Sequence, residues 1–121
     1  MFLMFKQPLL FIFAIALTFS FSPQLMANTM PLTPTEIEQK LSTVPQWQQE
    51  GNNITRTFEF KNFVEAIDFV NKLVEPAETA AHHPDLAISY NKVTVSLTTH
   101  DAGGLTQKDF ELARTISELE K

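Results

Sequence analysis

Ile54 to Ala77 reads ITRTFEFKNFVEAIDFVNKLVEPA, and the spacing of its apolar residues changes partway along. In the first seven residues Ile54, Phe58 and Phe60 share one face at a period of two, while Thr55, Thr57 and Glu59 share the other. That alternation predicts a half-buried strand. Arg56 interrupts the apolar face; the position suits a long side chain at a sheet edge that keeps its charge in water, the competing reading being a ligand or subunit contact. From Asn62 onward Phe63, Ala66, Ile67, Val70, Leu73, Val74 and Ala77 follow the i, i+3, i+4, i+7 spacing of a helix buried along one stripe. Pro76 falls late in this helix, where it removes one backbone hydrogen bond and should kink or loosen the last turn and a half. The helix should stop at His83-Pro84, because a residue before proline is pushed out of the α region.

Outward from this stretch, Trp47 to Glu50, Gly51-Asn52-Asn53 and Ile54 to Phe60 read as strand, turn, strand, since Gly and Asn tolerate the positive φ of tight hairpins. Leu86 to Tyr90 and Lys92 to Thr99 form a second pair linked tightly at Asn91. Along its longer strand Val93, Val95 and Leu97 face one way, and Thr94, Ser96, Thr98 and His100 the other. Upstream, Thr33-Pro34-Thr35-Glu36 is a capping box with Pro at the first helical position, so a short helix to about Ser42 precedes Pro45. Downstream, Gly103-Gly104 gives a turn, and Thr106-x-x-Asp109 opens a last helix with the stripe Leu112, Ala113, Ile116 and Leu119. Asp109 is read here as a structural capping residue. The order α-β-β-α-β-β-α, with segregated hairpins and helices on one face, defines a two-layer α+β sandwich.

The 121 residues suit one domain. The N-terminus stands apart from it: after Lys6, Leu9 to Phe21 (LLFIFAIALTFSF) is apolar apart from Thr18 and Ser20, within the length of a secretory h-region. This run is too short for a membrane span, and the absence of Arg argues against a transit peptide. Leu25-Met26-Ala27 carries an apolar and a small residue where signal peptidase reads. The expectation is a signal peptide over 1–27 cleaved after Ala27, an exported (periplasmic or secreted) domain over 28–121, and no stable membrane insertion after cleavage. With no Cys the domain must hold by packing alone. The whole chain carries a formal charge of −5, and loss of Lys6 makes it one unit more negative. Scattered lysines without a basic cluster argue against nucleic-acid binding.

All three histidines fall between residues 82 and 100, at element ends: His82 and His83 where a helix stops, His100 where a strand stops. Imidazole can both give and take a proton near neutral pH, so a convergence of the three at the mouth of the domain would make a general acid–base site. Glu78, four residues before His82, could accept its ring N–H if the helix persists that far. A histidine cluster also suits a metal, but adjacent histidines rarely chelate one ion together and no H-x-x-x-H spacing occurs, so a metal is not expected.

The combined spacing is more specific than its parts. Glu78-x-x-x-His82-His83-Pro84, then Tyr90 and Asn91, Thr99-His100-Asp101, Gly104-Leu105-Thr106 and Asp109 resembles the pterin-4a-carbinolamine dehydratase family, over nearly the whole of 28–121. The resemblance implies a four-stranded antiparallel sheet and assembly as a homodimer or homotetramer through sheet edges and helices. It implies a small-molecule pterin substrate, a 4a-hydroxytetrahydropterin such as the tetrahydrobiopterin form, dehydrated to the quinonoid dihydropterin by proton transfers that need no metal or redox cofactor. His82 and His100 would be the proton-transfer pair and His83 would orient the pterin. Glu78 would orient His82, Pro84 would hold the backbone of the His pair, and Asp101 would lie at the substrate. The alternative function is a non-enzymatic pterin-binding or interaction module on the same fold. Leu86 and Ala81 depart from the aromatic and acidic residues that many relatives carry there, Pro76 could displace the helix end bearing His82, and export sets the chain apart from a normally cytosolic family.

Overall fold

The computed structural model describes residues 15–20 and 29–121. The expected cleavage point after Ala27 lies outside the described residues. Residues 15–20 form no helix or strand, and Ile15, Leu17 and Phe19 are exposed. Among the described residues no helix is long and apolar enough to cross a membrane.

Helix α1 spans Pro34–Leu41 and begins at the expected capping box: the Glu36 amide donates to Thr33 Oγ1 while Glu36 Oε2 accepts from the Thr33 amide at 2.8 Å. The Thr33 amide, then the Thr33 hydroxyl, hold the Glu36 carboxyl below the usual carboxylate range. A depressed carboxylate stabilises the fold above its ordinary titration, and this support is lost as pH falls through the lowered value.

Strands β1 (Gln48–Glu50), β2 (Asn53–Glu59), β3 (Asp85–Ser89) and β4 (Lys92–Leu97) form one antiparallel sheet in the order β1-β2-β4-β3. The two hairpins therefore meet at β2 and β4, with Phe58 opposite Val93 and Ile54 opposite Leu97. One face buries Ile54, Phe58, Val93, Val95 and Leu97 against Ala66, Phe69, Leu73, Phe110, Ala113 and Ile116 of the helices. The other face carries Thr55, Thr57, Thr94 and Ser96, and the Thr57 and Thr94 hydroxyls pair at 2.9 Å. The α+β sandwich, with its four-stranded antiparallel sheet and helices on one face, is thus the observed fold.

The long central helix is broken in two, α2 (Phe63–Lys72) and α3 (Val74–Ala80), with Leu73 at the junction. Pro76 acts as expected but further upstream: it offers no N–H to the Lys72 carbonyl and its ring crowds that carbonyl, so the path changes one turn before the proline. The burial stripe is correspondingly narrower. Ala66, Phe69, Leu73 and Ala77 are buried, whereas Phe63 and Val74 are exposed and Ile67 and Val70 only half-buried. Phe69, outside the expected stripe, stacks between Phe58 and Phe60 at centroid distances of 4.6 and 5.0 Å.

Arg56 corrects another expectation. It lies on an interior strand, not at an edge, and is buried. Its guanidinium sits 4.1 Å from the centre of the Phe58 ring, donates to Ser117 Oγ at 3.2 Å and pairs with Glu120. Trp47 Nε1 donates to the same Ser117 oxygen at 3.0 Å. The cluster ties β2 to the C-terminal end of helix α4 (Gln107–Glu118). Because Glu120 is partly solvated, losing its partner costs little, and most of the worth of Arg56 is its packed stem and its ring contact. Arg56→Ala is expected to cost about 2–4 kcal/mol, whereas Arg56→Met, which keeps the volume, should cost under about 1.5 kcal/mol. Urea denaturation midpoints of the two variants check this ordering.

Candidate active site

Helix α3 ends by a left-handed residue: Ala81 has φ 47° and ψ 41°, and its amide bonds back to the Glu78 carbonyl. Alanine holds this conformation at a cost of roughly 1 kcal/mol relative to glycine, a strain placed directly before the His pair. The reversal separates the fates of two adjacent histidines. His82 turns inward, its side chain 10% exposed, and its Nε2 lies 2.6 Å from Oδ1 of the fully buried Asp109. His83 stays outside, with Nε2 2.6 Å from Glu78 Oε1, and both side chains are mostly exposed.

This corrects the expected Glu78–His82 pair. Four-residue spacing would bring the two together on an unbroken helix, but the left-handed turn at Ala81 removes that register, and Glu78 meets His83 instead. The carboxylate that holds His82 is Asp109. Asp109 also caps α4 as expected, its Oδ2 accepting from the Thr106 amide at 2.8 Å, and the same oxygen accepts from Thr99 Oγ1 at 2.8 Å. One carboxylate therefore caps a helix with one oxygen and holds a histidine with the other.

Strand β4 ends at Leu97, earlier than expected, so His100 is not on the strand but opens a 3-10 turn, His100–Ala102. Thr99 and Gly104 form an isolated bridge that closes this turn, and Gly103 (φ 72°) donates its amide to the His100 carbonyl at 3.0 Å. His100 and Asp101 are exposed there. Pro84, half-buried, separates the His pair from β3. His83 follows His82 directly, and His82 reaches the residue preceding His100 through Asp109 and Thr99. The fold thus brings the three histidines to one end of the domain, where α3, β4 and α4 meet. A cavity of about 580 Å³ between α3 and α4, lined by Pro76, Thr79, Lys108, Leu112 and Thr115 among others, does not include them. Among the described residues no group of three or more His, Cys, Asp or Glu is placed to hold a metal ion.

The arrangement offers a buried imidazole fixed by a carboxylate, plus two accessible imidazoles, one with its own carboxylate. Such a set can deliver one proton and remove another on a small molecule resting against the surface. Thr99, part of the Thr99-His100-Asp101 motif but given no role from the sequence, is the added residue; nothing in its local context marks a strand-end threonine as a partner of a carboxylate ten residues on.

Known proteins agree with this architecture. The profile described as pterin 4 alpha carbinolamine dehydratase matches residues 30–119. A protein of Picosynechococcus sp. provisionally named pterin-4-alpha-carbinolamine dehydratase is 70% identical over 88 residues, covering 73% of this chain and 96% of the relative. A Cyanothece sp. protein of the same provisional name is 61% identical over 90 residues, covering 74% of this chain and 93% of its own length. Among solved structures, a transcriptional coactivator/pterin dehydratase from Brucella melitensis superposes with a TM-score of 0.72 at 34% identity, covering 75% of this chain and 99% of that one. A pterin dehydratase-like protein described as a RuBisCO assembly factor in the alpha-carboxysome shares the fold alone, with a TM-score of 0.50 at 18% identity over 60% of this chain and 84% of that one. On the extent of the profile match and the identity of these relatives, the chain belongs to the pterin 4 alpha carbinolamine dehydratase family.

Proposed function

We propose that this chain dehydrates a 4a-hydroxytetrahydropterin to the quinonoid dihydropterin by histidine acid–base catalysis, with the tetrahydrobiopterin form as a candidate substrate. The observation that carries the reading is the buried Asp109–His82 pair beside two exposed histidines in a chain of this family. In the reaction the C4a–O bond breaks as oxygen receives a proton and leaves as water. The neighbouring ring N–H loses its proton, and its electron pair closes the C=N bond. His82, fixed by Asp109, and His100, on its short turn, are the two proton-transfer groups. His83, held by Glu78, orients the pterin, with Pro84 setting the backbone between the His pair and β3 and Asp101 bordering the site. The test is turnover of a chemically generated 4a-hydroxytetrahydropterin by the purified chain; a rate no faster than buffer rejects the reading.

An interaction module on the same fold is the second reading, favoured by the Brucella neighbour, a protein described as a transcriptional coactivator as well as a pterin dehydratase. Pterin binding without turnover would support it.

Export is part of the proposal. The family match begins at residue 30, so the apolar stretch from Leu9 to Phe21 is an addition to the domain rather than part of it. Detection of a mature form beginning at Asn28 outside the cytoplasm tests it.

Self-association is also proposed. Phe63, Ile67, Val70 and Val74 form a stripe that the core leaves partly or fully exposed, and β3 is an edge strand whose Leu86 and Ile88 are 40% and 43% exposed. Exposed apolar stripes and free strand edges are the usual sites of association. Light scattering is expected to give a mass above that of the monomer, and Val74→Glu is expected to reduce it. A monomeric native chain would overturn this.

A further inference from the structure

The end of β4 and the start of α4 are joined by a single hydroxyl. Thr99 Oγ1 donates to Asp109 Oδ2 at 2.8 Å and lies 2.8 Å from Thr106 Oγ1. A hydroxyl has one proton to give. With that of Thr99 directed at the carboxylate, Thr106 is the donor in the second bond, and its oxygen still accepts from the Lys108 amide at 3.3 Å. The two hydroxyls therefore run in one direction, from Thr106 to Thr99 to Asp109. Oδ2 then receives two donors, Thr99 O–H and the Thr106 amide. A carboxylate used in this way is an acceptor on its other oxygen too, so the proton shared with His82 belongs to Nε2, and in the neutral ring the lone pair is then on Nδ1.

The main chain of Thr99 serves the other histidine. Its amide donates to the Gly104 carbonyl at 3.2 Å, and its carbonyl accepts from Ala102 at 3.1 Å and Gly104 at 3.4 Å. These bonds close the turn that presents His100. One residue thus anchors the His100 turn by its backbone and the His82 carboxylate by its side chain.

We propose that Thr99 is a positioning residue for proton transfer: its hydroxyl fixes the orientation of the Asp109 carboxylate, and that carboxylate holds the His82 ring by its Nε2–H. The proposal rests on the dehydratase reading for its kinetic consequence, not for its structural one. Thr99→Val keeps the shape and removes the donor. It is expected to lower kcat by about 10- to 100-fold, the scale of a small misplacement of a reacting group, with KM for the pterin changed less than about twofold. The conservative Thr99→Ser should restore kcat to within about threefold of the native value.

The independent readout is ¹⁵N NMR of histidine-labelled protein, where the tautomer of each neutral ring is read from its two nitrogen shifts. His82 should be Nε2–H in the native chain and both variants, because a carboxylate only accepts. Its Nε2–H proton, shifted downfield by the short bond to Asp109 in the native chain and in Thr99→Ser, should move upfield in Thr99→Val as the unanchored carboxylate loosens that bond. An Nδ1–H tautomer for His82 in the native chain overturns the proposal whether or not any variant folds, and so does a Thr99→Val chain with native kcat and a native Nε2–H proton shift. Absence of turnover in the native chain would instead reject the dehydratase reading, and the NMR result would still decide the role of Thr99.

Discussion

Asp109→Asn is expected to lower turnover by roughly 10²- to 10⁴-fold while the chain stays folded. The amide fills the same volume, and its oxygen can still accept from the Thr106 amide and the Thr99 hydroxyl, so the cap on α4 survives. Its nitrogen is then turned toward His82 Nε2, now 2.6 Å from a carboxylate oxygen. An NH₂ group donates, so His82 must accept at Nε2 and carry its proton on Nδ1. The imidazole remains in place in the wrong tautomer. The stability cost should be about 1–3 kcal/mol, because the three bonds to the carboxylate lose their charge but none of the three partners is left unpaired. Asp109→Ala differs in kind: it strips partners from His82, Thr99 and the Thr106 amide together, and should cost more stability than Asp109→Asn. Steady-state turnover and thermal unfolding of the two variants separate these effects. Turnover within a factor of about three of native in Asp109→Asn would mean that the buried pair is only structural.

The second large effect is a contrast between two histidines given the same catalytic task. His82→Asn and His100→Asn are each expected to reduce turnover by about 10²- to 10⁴-fold, as befits loss of a general acid or base. Their stabilities should diverge. His82 is the partner of a fully buried carboxylate, and the shorter Asn side chain leaves Asp109 under-satisfied at a cost of about 1–3 kcal/mol. His100 is exposed on a turn held by backbone bonds alone, so its replacement should change stability by under about 0.5 kcal/mol. A combined measurement of turnover and denaturation midpoint on both variants is decisive: unchanged turnover in both ends the acid–base assignment.

Local features were legible in the residues themselves. Both capping boxes form where Thr33-x-x-Glu36 and Thr106-x-x-Asp109 stand, because a cap is made within four consecutive residues. The period change near Asn62 marks where strand gives way to helix, and the turn residues around Gly51 and Asn91 mark the hairpins. Strand limits were less well placed: β4 stops two residues before its expected end, since a 3-10 turn competes for Thr99 and His100. The sequence also determined the family, because the spacing from Glu78 to Asp109 is carried by the chain whatever its fold.

Only the tertiary structure decided which partner each polar group takes. Arg56 is interior because β4, far along the chain, covers the side of β2 that local periodicity leaves open. Glu78 meets His83 rather than His82 because Ala81 adopts a left-handed turn, which helical spacing cannot foresee. His82 meets Asp109 across 27 residues, and Thr99 meets it across ten. The physical reason is range. Caps and periodicities arise from bonds a few residues long, whereas the orientation of each histidine depends on groups that become neighbours only once α3, β4 and α4 have packed together.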